Sequence, residues 1–130
     1  MISRFDAAVI GTGQAGPSLA NRLTRAGMTV AVIERSRFGG SCINTGCTPT
    51  KTMVASASAA RLASRAADYG VTIEGRVTIG MKKVVARKNV VSNTAQKNIE
   101  NWLASMPGCT VMRGHARFIS PNETRLMATG

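Results

Sequence analysis

Two cysteines five positions apart, Cys42 and Cys47, lie in the stretch Gly39-Gly40-Ser41-Cys42-Ile43-Asn44-Thr45-Gly46-Cys47-Thr48-Pro49-Thr50-Lys51. In a regular helix their Cα atoms would stand roughly 8 Å apart on different faces, too far for a disulfide. Gly46 beside Cys47 allows the irregular turn that would bring them together. Pro49 is tolerated only in the first turn of a helix, so Cys47 falls near a helix N-terminus, where a thiolate is stabilised. These are the surroundings of a redox-active dithiol. Zinc is a poor alternative, because there is no second cysteine pair and the single histidine, His115, is distant in the chain. The bland alternative is a chance pair of buried cysteines. Cys109 stands alone at an expected strand start and reads as a small buried hydrophobe.

A second constellation precedes this one. Gly11-Thr12-Gly13-Gln14-Ala15-Gly16 has the G-x-G-x-x-G spacing, and Glu34 follows 18 positions after Gly16, next to Arg35. Gly11 permits a tight turn, Gly13 lets the backbone approach a pyrophosphate, and Gly16 lets a helix pack closely on a strand. A helix starting there offers free N–H groups and a partial positive charge to phosphates. A carboxylate at Glu34 can accept hydrogen bonds from ribose hydroxyls and disfavours a 2′-phosphate. The bare spacing also fits a tight turn with no ligand. With strand, helix and acid in register it reads as a dinucleotide site, for FAD or NAD.

The elements that must position these residues are legible in the same way. Phe5 to Gly11 is short, apolar and glycine-terminated, as a buried parallel strand would be. From Gln14 to Ala26 apolar positions recur at helical spacing, and Gly27 stops the helix. Met28 to Ile33 is a second strand, closed by Glu34 and Arg35, which completes a βαβ unit. Ser36 to Thr48 reads as a loop. A helix is expected from about Pro49 to Ala67, then a turn and short strand within Gly70 to Gly80. A second long helix should run from Met81 to Met106, where Pro107-Gly108 ends it. Short strands are expected at Thr110 to Met112, Ala116 to Ile119 and Thr124 to Met127.

Composition limits the remaining choices. A chain of 130 residues with 44% hydrophobic content fits one globular domain. No apolar run reaches the ~18 residues of a membrane span, and Asp6 with the glycine turn leaves no room for a signal-peptide core. The cytoplasm is the expected compartment. The net charge of +11 raises the question of nucleic acid. Its candidates, Lys82, Lys83, Arg87, Lys88 and Lys97, lie on a helix whose other face is apolar, which reads as a solvated face. Aromatic content of 4% also argues against base-stacking platforms.

The quoted motifs closely resemble the pyridine nucleotide–disulfide oxidoreductase family, which includes dihydrolipoamide dehydrogenase, glutathione reductase and mercuric reductase. The family pattern G-G-[TS]-C-x-N-x-G-C-x-P-x-K is met at Gly39, Gly40, Ser41, Cys42, Asn44, Gly46, Cys47, Pro49 and Lys51. The resemblance implies an α/β, three-layer Rossmann-like fold that binds FAD, with NAD(P)H serving only the full-length enzyme. It implies that Cys47 faces the flavin as the charge-transfer thiolate and that Cys42 attacks a small disulfide or thiol-reactive substrate, the two forming a reversible disulfide. Lys51 would lie near flavin N5 and Ser41 by the pyrophosphate, with Gly40 and Gly46 in the same wall. Gly11, Gly13, Gln14, Ala15, Gly16, Glu34 and Arg35 would line the dinucleotide, and the backbone of His115 and Ala116 would meet the adenine. No metal site is implied. Thr45, Thr48 and Thr50 bring the motif closest to mercuric-reductase-like members.

After Pro121 the chain departs from the family pattern, and Ala128-Thr129-Gly130 is read as a chance match to a later family turn. The family's NAD(P)H-binding and dimerisation domains are not in these 130 residues. The expectation is therefore a truncated FAD-binding domain over residues 1–130, inactive alone, from a family of homodimers. A non-catalytic nucleotide-binding fragment is the alternative.

Overall fold

The computed structural model describes residues 2–128, so Thr129 and Gly130 of the Ala-Thr-Gly match lie outside the described residues. In chain order come β1 (Ala7–Ile10), α1 (Gly16–Arg25), β2 (Val30–Glu34), α2 (Gly40–Asn44) and α3 (Cys47–Ser64). A short 3-10 turn at Ala66–Tyr69 follows, then α4 (Met81–Ser105), β3 (Cys109–Arg113), β4 (His115–Ser120) and β5 (Glu123–Met127). β1, β2 and β3 form a parallel sheet with β2 central, while β4 and β5 form an antiparallel hairpin.

The expected α/β fold of Rossmann type is present, and its packing follows from the register. Both crossovers step the same way across the sheet, so the right-handed rule puts α1 and α4 on one face. Ala7, Val30 and Cys109 form one row across that face, and Val9, Val32 and Val111 the next. They meet Ala20 and Leu23 of α1 and Ile99, Leu103 and Met106 from α4 and its end. Phe38, fully buried in the loop after β2, closes the same cluster. The other rows, Ala8–Ala31–Thr110 and Ile10–Ile33–Met112, lie on the opposite face.

Three sequence expectations change. The segment read as a loop from Ser36 to Thr48 contains α2 and the start of α3. Five residues are too few to show helical periodicity. α3 begins at Cys47 and ends at Ser64, and the 3-10 turn takes up the rest of the expected helix. The strand expected within Gly70 to Gly80 is absent: residues 71–80 are irregular, because no neighbouring strand offers them a ladder.

Candidate functional site

The glycine turn leaves β1 at Gly11, whose φ of 93° is a conformation that favours glycine. Gly11 N–H donates to the Ile33 carbonyl at 2.8 Å, which seats the turn over the end of β2. A Cβ at Gly16 would strike the Gly11 carbonyl oxygen, so α1 packs on β1 as closely as the third glycine of the motif permits. Nothing lies within 4 Å of a Cβ built at Gly13, which leaves its backbone open to a ligand. α1 starts at Gly16 with Ala15 as its N-cap and no side-chain cap, and Pro17 lacks the N–H that its position would leave unpaired. Gln14 and Ala15 are exposed on the turn. The helix N-terminus is thus open, as the spacing predicts.

Glu34 ends β2 and points at the turn. Its Oε2 accepts the Thr12 N–H at 2.9 Å and the Thr12 hydroxyl at 2.6 Å, and its Oε1 accepts the Ser36 N–H at 2.9 Å. Burial opposes ionisation of this carboxyl. The hydrogen bonds from the Thr12 hydroxyl and from the Ser36, Thr12 and Arg35 N–H groups outweigh it, so the pKa lies below the ordinary glutamate value. Oε2 thus accepts two hydrogen bonds and Oε1 at least one. Beside it is a cavity of about 260 Å³ at the carboxyl ends of the strands, where ligands of open α/β sheets bind. It is lined by Ile10, Gly11, Ile33, Glu34, Arg35, Gly114, His115 and Ala116. The candidates at both ends of the chain therefore share one cavity.

Thr12 was not singled out by sequence, since it fills a variable position of the motif. It is nonetheless buried at the junction of both constellations. Besides donating to Glu34, its hydroxyl accepts the Gly39 N–H at 3.1 Å, tying the cysteine segment to the nucleotide turn. Gly40, at φ 61°, packs so closely that a Cβ there would stand 2.8 Å from the Gly13 Cα. Asn44 Nδ2 donates to the Phe38 and Gly40 carbonyls at 2.9 and 2.8 Å, which fixes the turn leading into the cysteines. Motif position marked Asn44, but no role could be read for it from sequence.

α2 carries Cys42 and stops at Asn44. The Thr45 and Gly46 N–H groups both donate to the Ser41 carbonyl, at 2.8 and 2.7 Å. Gly46 then turns the chain so tightly that an added Cβ would sit 3.1 Å from that carbonyl oxygen. Cys47 follows as the first residue of α3. Helix, break and helix bring the two cysteines close enough for their side chains to act on each other. The Cys42 thiol is pushed up, first by its hydrogen bond to Cys47, then by burial and by the Cys47 charge. The Cys47 N–H and the Lys51 charge act in the opposite direction. Lys51 and Ser41 are exposed beside the pair. Cys109 starts β3, half-buried in the core, where burial raises its thiol.

The basic face of α4 is partly engaged in packing. Arg87 donates to the Thr52 carbonyl and the Ser56 hydroxyl of α3, and Lys88 donates to Asn89. Among the described residues no three His, Cys, Asp or Glu side chains cluster as metal ligands, and no helix is long and apolar enough to cross a membrane.

Comparison with known proteins agrees with this geometry. The probable pyridine nucleotide-disulfide oxidoreductase RclA of Escherichia coli is 38% identical over 96% of the chain and 25% of its own length. Dihydrolipoyl dehydrogenase of Rhizobium etli is 32% identical over 95% of the chain and 25% of its own length. The solved structure of a Cu(II) complex of the HOCl-induced flavoprotein disulfide reductase RclA superposes with a TM-score of 0.79 at 34% identity, covering 97% of this chain and 25% of that one. The chain thus spans about a quarter of the length of the relatives it matches. The family model described as pyridine nucleotide-disulphide oxidoreductase matches residues 5–129, and the chain belongs to that family.

Proposed function

We propose that the chain is the FAD-holding and dithiol-bearing portion of a flavin-dependent disulfide reductase. The observation that carries this reading is the close approach of Gly40 to Gly13, which packs the cysteine segment directly against the nucleotide turn. The residues fit the cofactor. The open backbone at Gly13 and the uncapped start of α1 suit a pyrophosphate. The Glu34 carboxylate in the cavity wall suits a ribose hydroxyl, and the wall at His115 and Ala116 suits adenine. When bound, FAD supplies the two-electron chemistry, with NAD(P)H as the electron source of the longer enzyme.

The protein groups do the rest. Opening a Cys42–Cys47 disulfide takes two electrons and two protons and yields two thiols. In the reverse half, the Cys42 sulfur, deprotonated, attacks a substrate disulfide, and one substrate thiolate leaves and takes up a proton. The Cys47 sulfur then attacks Cys42, the mixed disulfide breaks, the second substrate thiol departs and the internal disulfide re-forms. Lys51 offers a positive charge to the thiolate stage. A small disulfide is the leading substrate. A soft metal ion is the second, favoured by two neighbouring thiols. A cytoplasmic location fits a cysteine pair used for redox chemistry and not as a structural staple.

The test is mild oxidation of the purified chain followed by alkylation and mass mapping, with flavin fluorescence titrated in parallel. A Cys42–Cys47 disulfide reversed by dithiothreitol, and quenching of added FAD that Gly13→Val abolishes, are expected. Both cysteines free after oxidation, or pairing through Cys109, would overturn the redox assignment.

A further inference from the structure

Arg113 ends β3 and is the ladder partner of Glu34 at the end of β2. The Gly114 N–H donates to the Glu34 carbonyl at 3.0 Å, so this register holds to the last residue of both strands. Neighbouring strands stand about 4.8 Å apart, and residues paired across them project to the same face. An arginine side chain spans that distance easily. Glu34 is a buried carboxylate that takes its hydrogen bonds from Thr12 and Ser36 and makes no ion pair among the described residues. A cation and an anion set side by side on one sheet face attract each other. Here they stay apart.

The arginine is engaged elsewhere. Its guanidinium pairs with the Glu100 carboxylate of α4 and lies over the Phe38 ring, 4.9 Å from the ring centre. Phe38 is fully buried within the core, so the ring is a fixed platform. A ring face attracts a cation, and the Glu100 carboxylate decides which way that cation turns. Arg113 is more than half exposed, so neither contact is strong alone. Their sum, weighed against the pull of Glu34, sets where the guanidinium goes.

We propose that Glu100 is a positioning residue of the nucleotide site, which draws Arg113 onto Phe38 and away from Glu34. This rests on the reading of that site as the one for FAD. The Glu34 carboxylate lies in the cavity wall, where it is placed to meet a ribose hydroxyl. A guanidinium beside it would present a rigid fork of N–H donors and compete for the acceptor that the ribose needs. Arg113 itself takes no part in binding, and Glu100 acts only by holding it off.

FAD titration of the purified chain, followed by flavin fluorescence, tests this. Glu100→Gln frees the guanidinium to turn to Glu34 and should weaken FAD binding about fivefold, the effect of one partly exposed ion pair. Arg113→Met keeps an apolar stem over Phe38 but has no charge to turn, and should bind FAD as the wild type does. Glu100→Gln combined with Arg113→Met should recover wild-type binding. If the pair merely braced the fold, Arg113→Met would be as harmful as Glu100→Gln and the double variant would stay weak. Glu34 gives a second readout that needs no flavin. Its carboxyl-carbon NMR shift should titrate at lower pH in Glu100→Gln than in the wild type, and move back in the double variant. Circular dichroism checks that all variants fold. An unmoved Glu34 titration in Glu100→Gln, FAD affinity equal to the wild type in that variant, or a double variant that fails to recover would each overturn the proposal. Wild-type protein that binds no FAD would overturn the reading of the site as the flavin's, whereas the Glu34 titration would still decide whether Glu100 holds the arginine off.

Discussion

The Thr12 hydroxyl bonds two groups that meet nowhere else in the chain, the Glu34 carboxylate and the Gly39 N–H. Thr12→Val keeps the shape and removes both bonds inside the core, so unfolding in urea should show a loss of roughly 1–3 kcal/mol. The carboxylate gives a pH signature as well. Its pKa is lower in the folded protein than the ordinary value of 4.5, so its stabilising effect is complete above that value and fades as pH falls through the folded pKa. Wild type should therefore lose more stability than Glu34→Gln between about pH 5 and pH 3. Parallel pH profiles for the two proteins would show that the carboxylate is not held as described. For the thiols, Cys47 is exposed while Cys42 is half-buried and its thiol raised. Brief alkylation of the reduced chain should label Cys47 first, read by peptide mass mapping.

At the level of elements, most of the frame was legible because the motifs are also the punctuation of the fold. The glycine turn marked where β1 gives way to α1, and Pro107-Gly108 marked the end of α4. What sequence missed was set by tertiary contact. α2 has one turn and a half and no periodicity, and it exists because Asn44, Gly40 and Phe38 close it from within. Thr12 carried no signal at a variable motif position, and its role depends on Gly39, 27 residues away. Arg87 was one of a basic row, yet it bridges α3 and α4. The convergence of His115 and Ala116 on Glu34 came from family resemblance and not from spacing. The cost of disturbing the loop packing can be stated. Gly40→Ala forces a side chain into a left-handed backbone at φ 61° and against Gly13. It should cost about 2 kcal/mol or more in denaturant unfolding and weaken FAD binding along with it. Gly70→Ala, also at positive φ but with open space around it, separates the two causes, since it carries the backbone strain without the clash.

For the whole molecule, the arrangement places both candidate sites toward one end of one sheet and leaves other surfaces uncovered. The helix face of the sheet holds the core, whereas Ile10 on the opposite face is 47% exposed. The basic residues behind the net charge of +11 are scattered over helices, strands and loops, and Arg87 among them serves in packing, so charge alone is a weak guide to a nucleic-acid partner. What these 130 residues contain sets what they can do alone. The sequence has one G-x-G-x-x-G turn, from Gly11 to Gly16, and that turn belongs to the site read here as the flavin's. A nicotinamide donor has no second such turn on which to place its pyrophosphate, so hydride transfer would be left to random encounter, without the positioning that accounts for much of an enzymatic rate. The single histidine, His115, faces the cavity at the strand ends and is not placed among the groups beside the cysteine pair. The thiol half of the chemistry needs only Cys42, Cys47 and their turn, and those are present. The 130-residue protein with added FAD should therefore oxidise NADH or NADPH with a disulfide no faster than free FAD does. The same sample should still pass its cysteine pair between dithiol and disulfide under a dithiothreitol redox buffer. Stopped-flow absorbance of the nicotinamide, beside thiol counting across the buffer series, measures both halves. Robust turnover abolished by Cys42→Ser would show that the chain positions the nicotinamide by a site not seen in its glycine turns.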